Sequence, residues 1–202
     1  MSRKLVIPQA PQWSEIQNVD NNNWAAEYPY APVVALKAQH DGQSMTLQFD
    51  VSEMYTMAMV QKDNGEVWTD SCVEFFIALD KTGYYNFEFT CIGKALLGFR
   101  KEKPNATHAD DAVMKSISRK SSLGEECFVE KVGENSWTLT VNIPAAALFK
   151  HNVSDLTGLS ATANFYKCGD NLTKPHFLSW NPIDMPTPNF HVPEFFGEIE
   201  FQ

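Results

Sequence analysis

The feature that most constrains this chain is a period of two in its apolar residues, broken at short intervals by turn signals. Successive side chains of a strand point to opposite faces, so an alternating run can bury one face and leave the other free. Val33-Val-Ala-Leu-Lys-Ala38 and Ser44-Met-Thr-Leu-Gln-Phe-Asp-Val51 alternate in this way around a turn at Asp41-Gly42. The runs 72–79 and 84–92 flank a second turn, Asp80-Lys-Thr-Gly83. Further strands are expected at 95–100, 113–119, 125–132, 137–143, 159–167 and 197–201. Residues 55–60 read equally as strand or as a turn of helix. Pro144-Ala-Ala-Ala-Leu-Phe149 is the one helical stretch, with proline at a first helical position. Many short strands at close spacing predict an all-β fold: a single antiparallel β-sandwich, jelly-roll-like, with at most short helical turns.

The central hairpin can be given a register. Pairing Leu79 with Tyr85 makes paired numbers sum to 164 and sets Val73, Phe75, Ile77 and Leu79 opposite Cys91, Phe89, Phe87 and Tyr85. That face is apolar throughout and fit for the core. The other face holds Cys72, Glu74, Phe76, Glu88 and Thr90. Two carboxylates and an aromatic suit a groove better than a second core. Cys72 and Cys91 fall on opposite faces, which disfavours a disulfide between them.

No composition break or repeat divides the 202 residues, so 1–202 is read as one domain, large enough to bury roughly 70% of its unfolded surface. Asn181–Pro193 carries four prolines with Ile183, Met185 and Phe190, and is expected to lie as an ordered loop on the body. Sixteen Lys and Arg against twenty-five Asp and Glu give a net charge of −9, which excludes nucleic-acid binding by counterion release. No apolar run is long enough to insert in a membrane as a helix. Only three apolar residues precede Pro8, too few for a secretory signal. The expectation is a cytoplasmic protein, or one whose signal lies outside this chain. The four cysteines form no C-x-x-C pair.

Trp68-Thr-Asp-Ser-Cys-Val-Glu74 leads into the hairpin, and Phe177-Leu-Ser-Trp-Asn-Pro182 and Asn189-Phe-His-Val-Pro-Glu-Phe-Phe-Gly-Glu-Ile199 stand near the end. With the runs 85–93 and 137–144, these segments resemble the family 9 carbohydrate-binding modules of bacterial polysaccharide-processing proteins. The resemblance implies a non-catalytic β-sandwich that holds a sugar ring between two tryptophans, here Trp68 and Trp180. Glu74 matches the family's acidic residue on the sugar hydroxyls, and Arg100 is the candidate basic partner. Glu88 shares the face of Glu74. The asparagine that the family carries before its second tryptophan has no counterpart, and Ser179 or Asn181 is expected to substitute. The implied ligand is a glucose- or xylose-type unit of a plant oligo- or polysaccharide, with a glycoside hydrolase as partner. The resemblance also implies structural calcium, for which Asp20-Asn-Asn-Asn23 and Asp110-Asp111 offer oxygens without an EF-hand loop. Indole faces cover the C–H faces of a pyranose and charged groups bind its hydroxyls, so such a site needs no catalytic group and no other cofactor.

Other readings compete. Glu74 and Glu88, as diagonal neighbours, suit the ~5–5.5 Å separation of a retaining glycoside hydrolase of endo-xylanase type. A haem-binding or interaction sandwich could draw on Met54, Met57 and Met59 with His40, His108, His151, His176 and His191, although no spacing motif joins them. Trp13, Trp24 and Trp137 read as core or edge packing.

Overall fold

The computed structural model describes residues 2–202 and divides them between two facing sheets. Its strands are β1 (Lys4–Ile7), β2 (Gln17–Asn18), β3 (Val33–His40), β4 (Ser44–Ala58), β5 (Cys72–Asp80), β6 (Gly83–Thr90) and β7 (Ala95–Arg100). They continue as β8 (Thr107–His108), β9 (Ser118–Ser121), β10 (Phe128–Pro144), β11 (Ser160–Cys168), β12 (Phe177–Ser179) and β13 (Gly197–Phe201). One sheet runs β1-β13-β11-β5-β6-β7-β8, with β12 also on β11, and the other runs β2-β3-β4-β10-β9. Among the described residues, all pairings between these strands are antiparallel except β1 with β13. The fold is the expected β-sandwich.

Alternation builds the core between the sheets. Phe49, Val51, Phe75, Phe87, Phe89, Leu139 and Phe165 point inward and are buried, with Phe75 stacked on Phe165 at 5.0 Å between centroids. Trp137 joins this core, as expected of it, and Trp24 packs in a second cluster on the outer face of the larger sheet. That outer face is covered by the proline-rich segment, where Phe190 lies flat on Tyr166 at 4.1 Å. The four prolines thus belong to an ordered loop against the body.

Several local expectations are corrected. The hairpin pairs Val73 with Phe89, Phe75 with Phe87 and Ile77 with Tyr85, a sum of 162 rather than 164. A bulge between Ile77 and Asp80 lets Asp80 face Gly83 across a two-residue turn, and Asp80 Oδ1 accepts from Thr82 N at 2.7 Å. The slip is two residues, so every side chain keeps its expected face. Glu74 becomes the direct rather than the diagonal neighbour of Glu88. Residues 113–119 are not one strand: a short helix α1 (Asp111–Ser116) precedes β9, because Asp110 accepts from Val113 N and caps it. The strands expected at 125–132 and 137–143 merge into β10, and 55–58 extends β4. Pro144 ends β10 and the helical turn beyond it is a 3₁₀ turn over Ala145–Ala147.

Candidate functional site

Where the cover of the outer face is incomplete, a cavity of 290 Å³ opens, lined by Trp68, Glu74, Glu88, Arg100, His191 and Asp170 among others. Three adjacent strands supply its floor. Glu74 on β5 stands opposite Glu88 on β6 and Tyr166 on β11, and Cys168 stands opposite Cys72. Phe177 and Phe190 form an aromatic wall, and Trp68, on the short 3₁₀ turn Val67–Thr69, is half-buried at the mouth.

The polar groups are held by a chain of hydrogen bonds. Asn86, fully buried on β6, donates through Nδ2 to Glu88 Oε1 at 2.8 Å and accepts at Oδ1 from Arg100 Nε at 3.0 Å. Arg100 also donates to the Lys103 carbonyl at 2.6 Å. Glu88 Oε2 is buried without a partner. The thiol of Cys168 donates to Glu74 Oε1 at 3.1 Å. The Tyr84 hydroxyl and His191 Nδ1 share a hydrogen bond of 3.0 Å.

Burial dominates the electrostatics. It raises the Glu74 carboxyl well above its ordinary range, with Cys168 and Glu88 adding to the effect. Burial also pushes Glu88 up to about 7, against the pull of Asn86 and Arg100. His191 is lowered to about 3 by burial first and by Arg100 and Lys103 next, so its ring is neutral at pH 7. The floor therefore offers carboxyl groups that can donate or accept, facing a permanent guanidinium.

Four of the six expected residues meet here: Trp68, Glu74, Glu88 and Arg100. Trp180 does not. Its side chain is fully buried between the sheets, edge-on to Phe165 at 5.6 Å, with Nε1 donating to Gln17 Oε1 at 3.1 Å. The two-tryptophan clamp is thus corrected, because strand alternation after β12 turns position 180 inward. Asn181 is committed elsewhere too, accepting from Arg3 N at 2.8 Å and donating to the Phe195 carbonyl at 2.8 Å. Asn86, Asp170 and His191 also belong to the site, beyond the expected six residues. Only His191 carried a signal, its place in the closing motif.

The expected calcium ligands do not converge. Asp20 pairs with Arg3 at 2.7 Å, Asn23 Oδ1 accepts from Ile183 N, and Asp110 caps α1. The haem ligand types are likewise dispersed: Met54 and Met59 are exposed, while His40 meets the Gln202 carbonyl at 2.8 Å.

A family model described as carbohydrate-binding family 9 matches residues 9–201. A crystal structure of a candidate carbohydrate-binding protein from Bacteroides uniformis is 37% identical, with 100% of each chain covered and a TM-score of 0.94. Two structures of a family 9 module from Caldicellulosiruptor kristjanssonii share the fold at 9% identity. The one with glucose covers 99% of this chain and 96% of its own at a TM-score of 0.58. The one with cellotriose covers 99% and 94% at 0.60. No curated protein matches the chain significantly.

Proposed function

The chain belongs to carbohydrate-binding family 9, and on that premise we propose that it binds a saccharide, without cleaving it, in the cavity beside Trp68. The observation that carries the reading is the composition of that cavity. An accessible indole stands at its mouth, and an unpartnered buried carboxylate oxygen of Glu88 lies on its floor beside Arg100. A sugar ring has the matching parts, an apolar C–H face and a rim of hydroxyls that donate and accept. At 290 Å³ the cavity lies at the lower edge of the roughly 300–1,000 Å³ of small-molecule sites, which favours one ring or a chain end. Trp68 would cover the ring face, Arg100 and Glu74 would take hydroxyls, and Glu88 would accept the hydrogen bond it lacks. Aromatic stacking here would come from Trp68 and the Phe177–Phe190 wall.

The glucose and cellotriose bound by the Caldicellulosiruptor modules support a glucose- or xylose-type unit, and hence a setting in plant-polysaccharide breakdown beside a glycoside hydrolase. Calorimetry with a panel of mono- and oligosaccharides tests this, alongside an assay for released reducing ends. Binding is expected in the wild type and is lost in Trp68→Ala and Arg100→Met, with no hydrolysis. Affinity unchanged in both variants, or turnover abolished by Glu74→Gln, would overturn the reading.

A further inference from the structure

The geometry points to a second ligand beneath the same cavity: a single zinc-class divalent cation held by Cys72, Cys168 and Glu74, with Glu88 as fourth donor. Cys72 and Cys168 are directly opposite each other on β5 and β11, and Glu74 follows on the same face of β5. One donor atom from each of the three lies within 4.8 Å of the others. Tetrahedral zinc, at ~2.3 Å from sulfur and ~2.0–2.2 Å from oxygen, sets its donors roughly 3.5–3.8 Å apart, a spacing that side-chain rotation can reach from this cluster. The thiol of Cys168 donates to Glu74 Oε1 at 3.1 Å, so these two donors already face each other.

A second observation is independent of the thiols. Glu88, 4% exposed, lines the same cavity, and its Oε2 is buried with no partner. A buried carboxylate oxygen left without a donor costs stability unless something binds it. Glu88 stands across from Glu74 in the ladder, outside the three-donor cluster, and would join it as a fourth donor by side-chain rotation, its Oε2 then serving the ion in place of a sugar hydroxyl. Two sulfurs select a borderline-soft cation over calcium or magnesium, whose ligands are oxygens. A thiol binds such a cation as its thiolate, so two thiol protons leave as two metal–sulfur bonds form. The opposing possibility is that Cys72 and Cys168 serve only as small buried apolar groups.

The test uses the whole chain carrying Cys127→Ser, which removes the exposed competing thiol. Zinc chloride titrated by calorimetry is expected to bind at one ion per chain, with proton release that differs between buffers by their ionisation heats. Cadmium is expected to give a thiolate-to-metal charge-transfer band. Cys72→Ser and Cys168→Ser should each weaken binding by roughly 100-fold or more and lose the band. Should either variant fail to fold, a rise in the thermal midpoint of the parent protein with zinc chloride, not given by calcium chloride, answers the same question. Zinc that neither binds nor stabilises, or that binds equally in both serine variants, overturns the proposal. Trp68→Ala is expected to keep zinc while losing sugar, so the two readings fail separately.

Discussion

Lys167 Nζ lies 2.9 Å from Glu53 Oε2 with both side chains at 0% exposure, an ion pair that ties the two sheets together from inside. Glu53 Oε1 also accepts from Trp137 Nε1 at 2.7 Å. Lys167 also donates to the Cys168 carbonyl and, at 2.8 Å, to Nε2 of His176. Burial and the ammonium together push His176 far below its ordinary value, consistent with a neutral ring that accepts. Removing one partner strands a buried charge. Lys167→Met is expected to cost about 3–5 kcal/mol in urea unfolding, and Glu53→Leu in the Lys167→Met background to recover most of it. A double variant no more stable than the single would show that the pair itself holds the sheets.

Trp68 and Trp180 separate function from stability. Trp180→Ala empties a fully buried site and is expected to cost about 3–5 kcal/mol, while the folded fraction keeps its saccharide affinity. Trp68→Ala should do the reverse: little change in the urea midpoint and loss of binding. Equal stability losses in the two variants would refute the assignment of Trp68 to the mouth of the cavity.

The contrast also shows what the residues disclose before folding. Alternation in 72–79 and 84–92 was enough to sort every side chain by face, because a two-residue slip in register leaves parity unchanged. The same parity told that Glu74, Phe76 and Glu88 share a second face, and the cavity opens there. Position 180 was not legible, since β12 is only three residues long and too short to fix which parity faces inward before the fold is known. Nor was α1, whose capping by Asp110 is a single hydrogen bond within an apparently alternating run. Asn86 was hidden for another reason: its role depends on Arg100, one strand away across the ladder.

Gly98 protects that role. A Cβ at position 98 would lie 2.8 Å from Asn86 Oδ1, the atom that holds Arg100 Nε. Asn86 is fully buried and has little room to retreat. Gly98→Ala is therefore expected to displace Asn86, to free both Arg100 and Glu88, and to destabilise by about 1–3 kcal/mol. Saccharide affinity should fall by roughly 10- to 100-fold, since a hydrogen bond to a charged group is worth about 1.5–3 kcal/mol. Wild-type affinity in Gly98→Ala would mean that Asn86 does not position the guanidinium.

His191 sets a pH dependence with a definite sign. Its ring packs against the stacked pair of Phe76 and Tyr84, 5.0 Å from the former and 6.0 Å from the latter, and its Nδ1 meets the Tyr84 hydroxyl. Burial, with Arg100 and Lys103 behind it, lowers it from 6.5 to about 3. The unfolded chain takes up a proton below about 6.5 that the folded ring refuses, so this contribution is complete above that pH and is lost as pH falls toward 3. At pH 5 the loss is roughly 2 kcal/mol. Glu88 acts oppositely: raised to about 7, it contributes stability at low pH that is lost as pH rises through 7. Wild type alone would therefore show a shallow net slope. His191→Phe keeps an aromatic ring against Phe76 and leaves Glu88 in place, so the difference between the two proteins isolates the imidazole. Urea unfolding at pH 7 and pH 5 is expected to move that difference by roughly 2 kcal/mol in favour of the phenylalanine variant at the lower pH. A difference that does not change with pH would mean that His191 titrates as freely folded as unfolded, and that the cavity wall is wet.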